Sequence, residues 1–296
     1  MAAAGEMFGA GGVGPTRLVG GSNWFIEAWE TEDCGHKTED LETHVEKWTP
    51  HQWTRIGALL ARVHALPVDW FEGFRVDLLA EVGLDGEIVD RGSHAWITIC
   101  MSLWHDKDMF VGMHADLFKS DRALFAEWAD AGAWGPLHPA AQRAVTAHAD
   151  FLPVNIIDLG KEQGFKCIDL EYACVTSAVH DLAHMLPACG RDSSKEEAFL
   201  TSYLEAVGED PATWECLLLD CRLAELVRIL MDGPLEWQDP TSPTGMRDLL
   251  SVMKSFAVEV RGSDSLQSAV REEGTFAVLF RHQPYLEVVE AYRKQL

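Results

Sequence analysis

The chain has 296 residues, 47% of them hydrophobic and 24% charged, the balance of a folded globular protein with room for one large or two ordinary domains. Against 24 Lys and Arg stand 47 Asp and Glu, a formal charge of -23 that argues against a nucleic-acid or anionic-membrane surface and for a cationic partner or a bridging metal. No apolar run approaches the roughly 20 residues that span a bilayer, and the first residues show neither a basic leader nor a long apolar segment, so a cytoplasmic protein without membrane insertion is expected. The 7 cysteines form no C-x-x-C pair and read as buried thiols rather than a disulfide or zinc framework.

In chain order, residues 9–22 are rich in glycine, and residues 17–29 predict one or two short strands, because β-branched and aromatic residues follow a Gly-Gly-Ser turn. An acidic loop, 30–46, comes next. Thr49 and Pro50 then open a helix in which Trp53, Ile56, Leu60 and Val63 recur at helical spacing up to Pro67. Further helices are expected over 94–104 and 119–131. Between Asn155 and Glu171 two apolar runs flank the turn LGKEQG, which predicts a β-hairpin. Segments 177–188, 195–206 and 212–231 have helical periodicity, 232–246 reads as a Pro- and Gly-rich loop, and helices follow near 246–260 and 284–295. Trp24, Trp29, Trp53, Trp96, Trp104 and Trp128 fall mostly at core positions of these elements.

The strongest chemical signal is His148-Ala-Asp150, with Asn155 five residues on and Asp169-Leu-Glu171 after the hairpin. Phosphoryl transfer from ATP needs a carboxylate near the acceptor hydroxyl and oxygen ligands that hold Mg²⁺ against the phosphates. The H-x-D-x-x-x-x-N spacing puts a carboxylate and a carboxamide on one loop, and the hairpin returns Asp169 beside Asn155. Asp150 is the candidate base, with Asn155 and Asp169 as candidate metal ligands. The plain alternative is that these residues cap a loop.

Residues 146–186, including the run IDLEYA, resemble the core of the choline and ethanolamine kinases and, more loosely, the aminoglycoside phosphotransferases. Weaker likeness extends to 12–30 and 56–67. The resemblance implies a protein-kinase-like α+β fold, with a small, incomplete β-containing N-terminal lobe at 1–33 and a helical C-terminal lobe at 34–296 whose catalytic loop is 148–171. It implies Asp150 as base, Asn155 and Asp169 on Mg²⁺, and His148 and Asp181 as structural support of the loop. Tyr172 matches an aromatic lining the amino-alcohol site. Glu171 joins it as a substrate-side candidate, and reads equally as an aid to Mg²⁺ binding or a cap of the next segment. The strand over 23–29 corresponds to the hinge that meets adenine. The implied cofactors are ATP and Mg²⁺, and the implied role is phosphorylation of a small cationic alcohol in phospholipid biosynthesis.

Other features pull elsewhere. The family carries a phosphate-holding lysine on an early strand, whereas no lysine here precedes Lys37. The family's acidic residue after the Asp181 motif is replaced around Ala188, and only Trp237 remains of a tryptophan cage near 224–238. A second expectation is therefore a pseudokinase-like binding or scaffold protein. Gly9-Ala-Gly11-Gly-Val-Gly14 matches a phosphate-loop fingerprint, but no strand precedes it and Pro15 blocks a helix behind it, so a phosphate loop is not expected. His180 and His184 lie one helical turn apart, as in a metal-dependent hydrolase, yet the more ordinary reading is a partly buried pair.

Overall fold

The computed structural model describes residues 2–14, 17–20, 25–27, 45–69, 137–158, 164–170, 173–232 and 243–294. It divides into two compact units, one of residues 1–72 and 139–218 and one of residues 73–138 and 219–296. The helices expected at 94–104 and 119–131 lie outside the described residues, as do most of the acidic loop and Trp24, Trp29, Trp96, Trp104 and Trp128.

In the first unit, helix α1 (Ala2–Ala10) is followed by two short antiparallel strands, β1 (Arg17–Gly20) and β2 (Phe25–Glu27), which fall within the expected strand region. Helix α2 (Pro50–His64) starts where Pro50 suits the first turn, and the Gln52 side-chain oxygen reaches back to accept the Thr49 backbone N–H at 2.9 Å. Its apolar face buries Trp53, Ile56, Leu60 and Val63, all fully enclosed. Trp53 stands edge-on to Trp48 (5.3 Å between ring centroids) and to Phe199 (6.0 Å), so its core assignment holds.

Helix α1 was not anticipated, because AAAGEMFGA has no apolar periodicity to mark it. Its end explains the glycine fingerprint. Gly12 takes φ 67°, its N–H returns to the Gly9 carbonyl, and the Val13 N–H returns to the Phe8 carbonyl, both at 3.0 Å. With Phe8 and Val13 both fully buried, this is a Schellman helix end, in which glycine supplies the left-handed residue. The N–H groups of residues 11 to 14 are all bonded to carbonyls of α1 and are not presented to a phosphate.

After the four-residue helix α3 (Pro139–Gln142), strand β3 (Ala144–Ala147) pairs antiparallel with β6 (Cys174–Ser177), running from Ala144 opposite Ser177 to Ala147 opposite Cys174. Between them lies the expected hairpin, β4 (Ile156–Asp158) against β5 (Phe165–Cys167). Arg55 of α2 lies 4.4 Å from the Phe165 ring centroid and so ties the hairpin to the helix. The predicted helix over 177–188 is shorter: β6 takes its first residue, α4 spans Val179–Met185, and a 3₁₀ turn covers Leu186–Cys189. Helix α5 (Ser193–Val207) is capped by Asp192, which accepts the Ser194 N–H at 3.0 Å, and it packs along α2. The two helices approach so closely at Gly57 that a Cβ there would lie 2.3 Å from the Phe199 carbonyl oxygen. Ser202 adds a hydrogen bond to the Thr54 carbonyl at 2.7 Å.

Helix α6 (Trp214–Asp232) begins in the first unit and continues in the second. In the second unit, α7 (Pro243–Arg261) starts inside the segment expected to be a loop, and α10 (Gln283–Arg293) fits the expected last helix. Helices α8 (Asp264–Glu273) and α9 (Thr275–Leu279) between them were not anticipated. Leu249, Met253, Phe256 and Val260 of α7 are buried, as are Val270, Leu279 and Tyr285. Asp220 accepts Arg261 Nη1 at 2.6 Å and also the His138 backbone N–H. Among the described cysteines, residues 167, 174, 189 and 221 are buried, but Cys216 is exposed, which corrects the expectation that all are buried. No helix among the described residues is long and apolar enough to cross a membrane.

Candidate active site

Residues 148–155 form the loop between β3 and β4. Ala149 has φ 66°, a left-handed conformation that is strained for a residue with a Cβ. The chain then turns tightly: Leu152 N–H bonds the Asp150 carbonyl at 2.8 Å and Asn155 N–H the Leu152 carbonyl at 3.0 Å. These bonds bring Asn155 back onto Asp150. Its Nδ2 donates to the Asp150 carboxylate at 2.8 Å and to the Asp150 carbonyl at 2.9 Å. With the amide nitrogen so used, the side-chain oxygen is the atom of Asn155 left for a cation.

The hairpin continues the arrangement. Ile156 pairs with Cys167, and the Ile168 N–H bonds the Asn155 carbonyl at 2.9 Å, so Asp169 follows directly on the residue bonded to Asn155. Asp169 is exposed and left-handed, with φ 59°. His148, fully buried, bridges the two sides: its Nε2 donates to the Ile168 carbonyl at 2.8 Å, and its Nδ1 accepts the Asp150 N–H at 3.3 Å. Phe8 of α1 and Phe151 stand edge-on to the His148 ring at 6.2 and 6.0 Å.

Asp181, on α4 and fully buried, holds the loop from behind. Its Oδ2 accepts the His148 N–H at 2.8 Å and His64 Nε2 at 3.1 Å, while its Oδ1 accepts the Ala149 N–H at 2.8 Å. Burial alone would raise its pKa, but the hydrogen bond and charge of His64, with His180 and His148 adding, hold the carboxyl below the usual carboxylate range. His64 in turn meets the Tyr203 hydroxyl through Nδ1 at 2.8 Å. Burial, with the Asp181 charge adding and Arg62 opposing, pushes the Cys167 thiol well above its ordinary range, so this last residue of β5 stays neutral.

Of the residues singled out in the sequence, the structure brings Asp150, Asn155, His148 and Asp181 into one bonded network, and it places Asp169 two residues past the end of β5. Glu171 and Tyr172 lie outside the described residues. His64, Tyr203 and His180 also touch the network, and none was flagged for it by sequence. His64 carried only the signal of a helix end. The His180 and His184 rings lie 4.3 Å apart, but His180 Nε2 is engaged by the Ala149 carbonyl at 3.1 Å. Among the described residues no cluster of three or more His, Cys, Asp or Glu side chains is arranged to hold a metal. Two hard oxygen donors, Asn155 and Asp169, do suit Mg²⁺, which takes one or two protein ligands and completes its shell with phosphates and water.

Residues 35–219 match the family model described as the phosphotransferase enzyme family, APH. No curated protein matches the chain. Among solved structures, it is similar to a choline/ethanolamine kinase family protein from Mesorhizobium loti, at 16% identity over 91% of this chain and 81% of that one, with a TM-score of 0.42. It is similar to an ethanolamine kinase of Plasmodium vivax at 14% identity over 90% and 72%, with a TM-score of 0.49. It is also similar to aminoglycoside 2′-phosphotransferase-IIIa in its GDP complex, at 19% identity over 72% and 66%, with a TM-score of 0.33. At these identities the solved structures do not choose a substrate, and it is the family model, spanning more than half of the chain, that carries the assignment. With its α+β, protein-kinase-like architecture, the chain belongs to the APH phosphotransferase enzyme family.

Proposed function

We propose that the chain transfers the γ-phosphoryl group of ATP to the hydroxyl of a small amino alcohol, with Asp150 as the base and Asn155 and Asp169 as the Mg²⁺ ligands. The observation that carries this reading is the double hydrogen bond from Asn155 Nδ2 to Asp150, which turns one face of the carboxamide to the base and leaves its oxygen for a cation. Asp150 takes the proton of the acceptor hydroxyl as its oxygen forms the new bond to γ-phosphorus and the bond to the ADP oxygen breaks. His148 holds the backbone N–H of Asp150, while Asp181 holds those of His148 and Ala149, so the base is fixed before substrate arrives. When bound, Mg²⁺ neutralises charge on the β- and γ-phosphates. Tyr172 and Glu171 are proposed for the acceptor side.

The formal charge of -23 favours a cationic acceptor over an anionic one and makes a bridging cation a condition for approach of ATP. Such an acceptor suits a cytoplasmic enzyme of phospholipid headgroup synthesis. The second reading is a pseudokinase-like binding or scaffold protein.

Calorimetry with Mg²⁺-ATP separates the two readings. Wild type is expected to bind, and Asp169→Ala to bind far more weakly; no nucleotide affinity in the wild type would favour the scaffold. In a turnover panel of choline, ethanolamine and an aminoglycoside, the amino alcohols are expected to be used. Asp150→Ala should lower transfer roughly 100- to 10,000-fold while sparing ATP binding, the range for loss of a general base.

A further inference from the structure

The residue before the proposed base is the most strained one in the loop, and both polar groups of its backbone are held by consecutive residues of one helix. Ala149 is fully buried at φ 66°. Its N–H is received by Asp181 Oδ1 at 2.8 Å, and its carbonyl, which belongs to the peptide bond leading into Asp150, is met by His180 Nε2 at 3.1 Å. An L-residue persists in the left-handed region only where the surroundings over-determine it. Released, Ala149 would return to negative φ, and the rotation would carry the Asp150 carboxylate away from Asn155 Nδ2, now 2.8 Å from it.

We infer that His180 is a positioning residue: as an Nε2–H donor to the Ala149 carbonyl it closes a two-point clamp with Asp181 and thereby aims Asp150. The adjacency of the two residues on α4 gives the clamp its rigidity, since a single peptide unit within the helix sets the spacing of both jaws. His64, anchored by Tyr203, fixes the Asp181 jaw, and His180 fixes the other. The neighbouring His184 ring, 4.3 Å away, limits the rotation of His180. Removing His180 should act on the geometry of the base and leave the ATP site intact. Gln at 180 can still donate to the carbonyl, and Gly at 149 removes the strain that makes the clamp necessary.

The catalytic part of this inference rests on Asp150 being the base, so its test has an arm that needs neither nucleotide nor acceptor. In ¹⁵N spectra of the wild type, His180 is expected in the Nε2–H form; the Nδ1–H form would overturn the inference. Hydrogen exchange over residues 146–152 should quicken at least tenfold in His180→Ala, with α5 unchanged and with His180→Gln close to wild type. Equal change in both segments would mean general loosening and would overturn it. In transfer from Mg²⁺-ATP to ethanolamine, His180→Ala should lower kcat at least tenfold with KM for ATP within twofold. In an Ala149→Gly background the same substitution should cost less than threefold. An equal loss in both backgrounds would overturn the clamp. If the wild type phosphorylates neither ethanolamine nor choline, or Asp150→Ala leaves transfer intact, the functional reading fails while the exchange and tautomer results still decide on His180.

Discussion

Asp181→Asn is expected to destabilise the protein by about 3 kcal/mol or more, the usual cost of breaking a buried charge pair, and to lower phosphoryl transfer by at least tenfold. Three donors, from His64, His148 and Ala149, converge on the two carboxylate oxygens. An amide keeps one oxygen and turns an NH₂ on at least one of these donors, which is left buried without an acceptor. The same residue sets a pH dependence. Its folded-state pKa lies below the ordinary value, so the unfolded chain binds more protons through that range. The ionised carboxylate therefore stabilises the fold above the unfolded Asp range, near about 4, and the contribution drains away as pH falls toward the folded value. Urea midpoints measured from pH 7 downward check both statements. The gap between wild type and Asp181→Asn should be full at pH 7 and should close in acid. A gap that stays constant or widens on acidification would sink the assignment of His64 as the partner of an ionised Asp181.

Gly57→Ala should be nearly as damaging, although alanine is the better helix former by about 1 kcal/mol. The added Cβ would meet the Phe199 carbonyl oxygen at 2.3 Å and the Tyr203 nitrogen at 3.1 Å. Both are backbone atoms, so no side chain can swing aside, and α2 and α5 must separate. Overpacking of this kind costs about 1–3 kcal/mol and occasionally more. Here it outweighs the helix propensity, for an expected net loss of about 2 kcal/mol. The displacement reaches the site, because Tyr203 on α5 holds His64 on α2, and His64 holds Asp181. A lower urea midpoint together with slower transfer is expected. A raised midpoint would show that propensity prevails and that the helices tolerate the methyl group.

These two substitutions also mark where sequence reading succeeds and stops. That Asp150, Asn155 and Asp169 lie near one another was legible because the loop and hairpin are short, so sequence spacing nearly determines spatial proximity. Helix α2 was legible because Pro50 and a clean 3.6-residue period agree. Strands β3 and β6 were not: AVTA and CVTS are four residues long, without alternation, and become strands only by pairing with each other from Ala144 across to Ser177. The contacts of His64, His180 and Tyr203 with this network were not legible for a related reason, since each acquires its role from a partner on another element. The glycines at 9–14 show the converse case. Their spacing matches a phosphate-loop fingerprint, the lack of a preceding strand and Pro15 argue against one, and their hydrogen bonds show a helix end.

That helix end has a bearing on association as well. A two-stranded hairpin has two open margins, and an uncovered strand margin is a template on which a second chain can add. The Val13 carbonyl accepts the Cys167 N–H at 2.7 Å, and Arg62 holds the neighbouring Gly12 carbonyl at 2.9 Å. The turn thus occupies a donor on β5 that would otherwise point outward for another strand. Loss of α1 and its turn would do more than shorten the chain: it would bare a sticky rim beside the 148–155 loop and open a route to edge-to-edge aggregation.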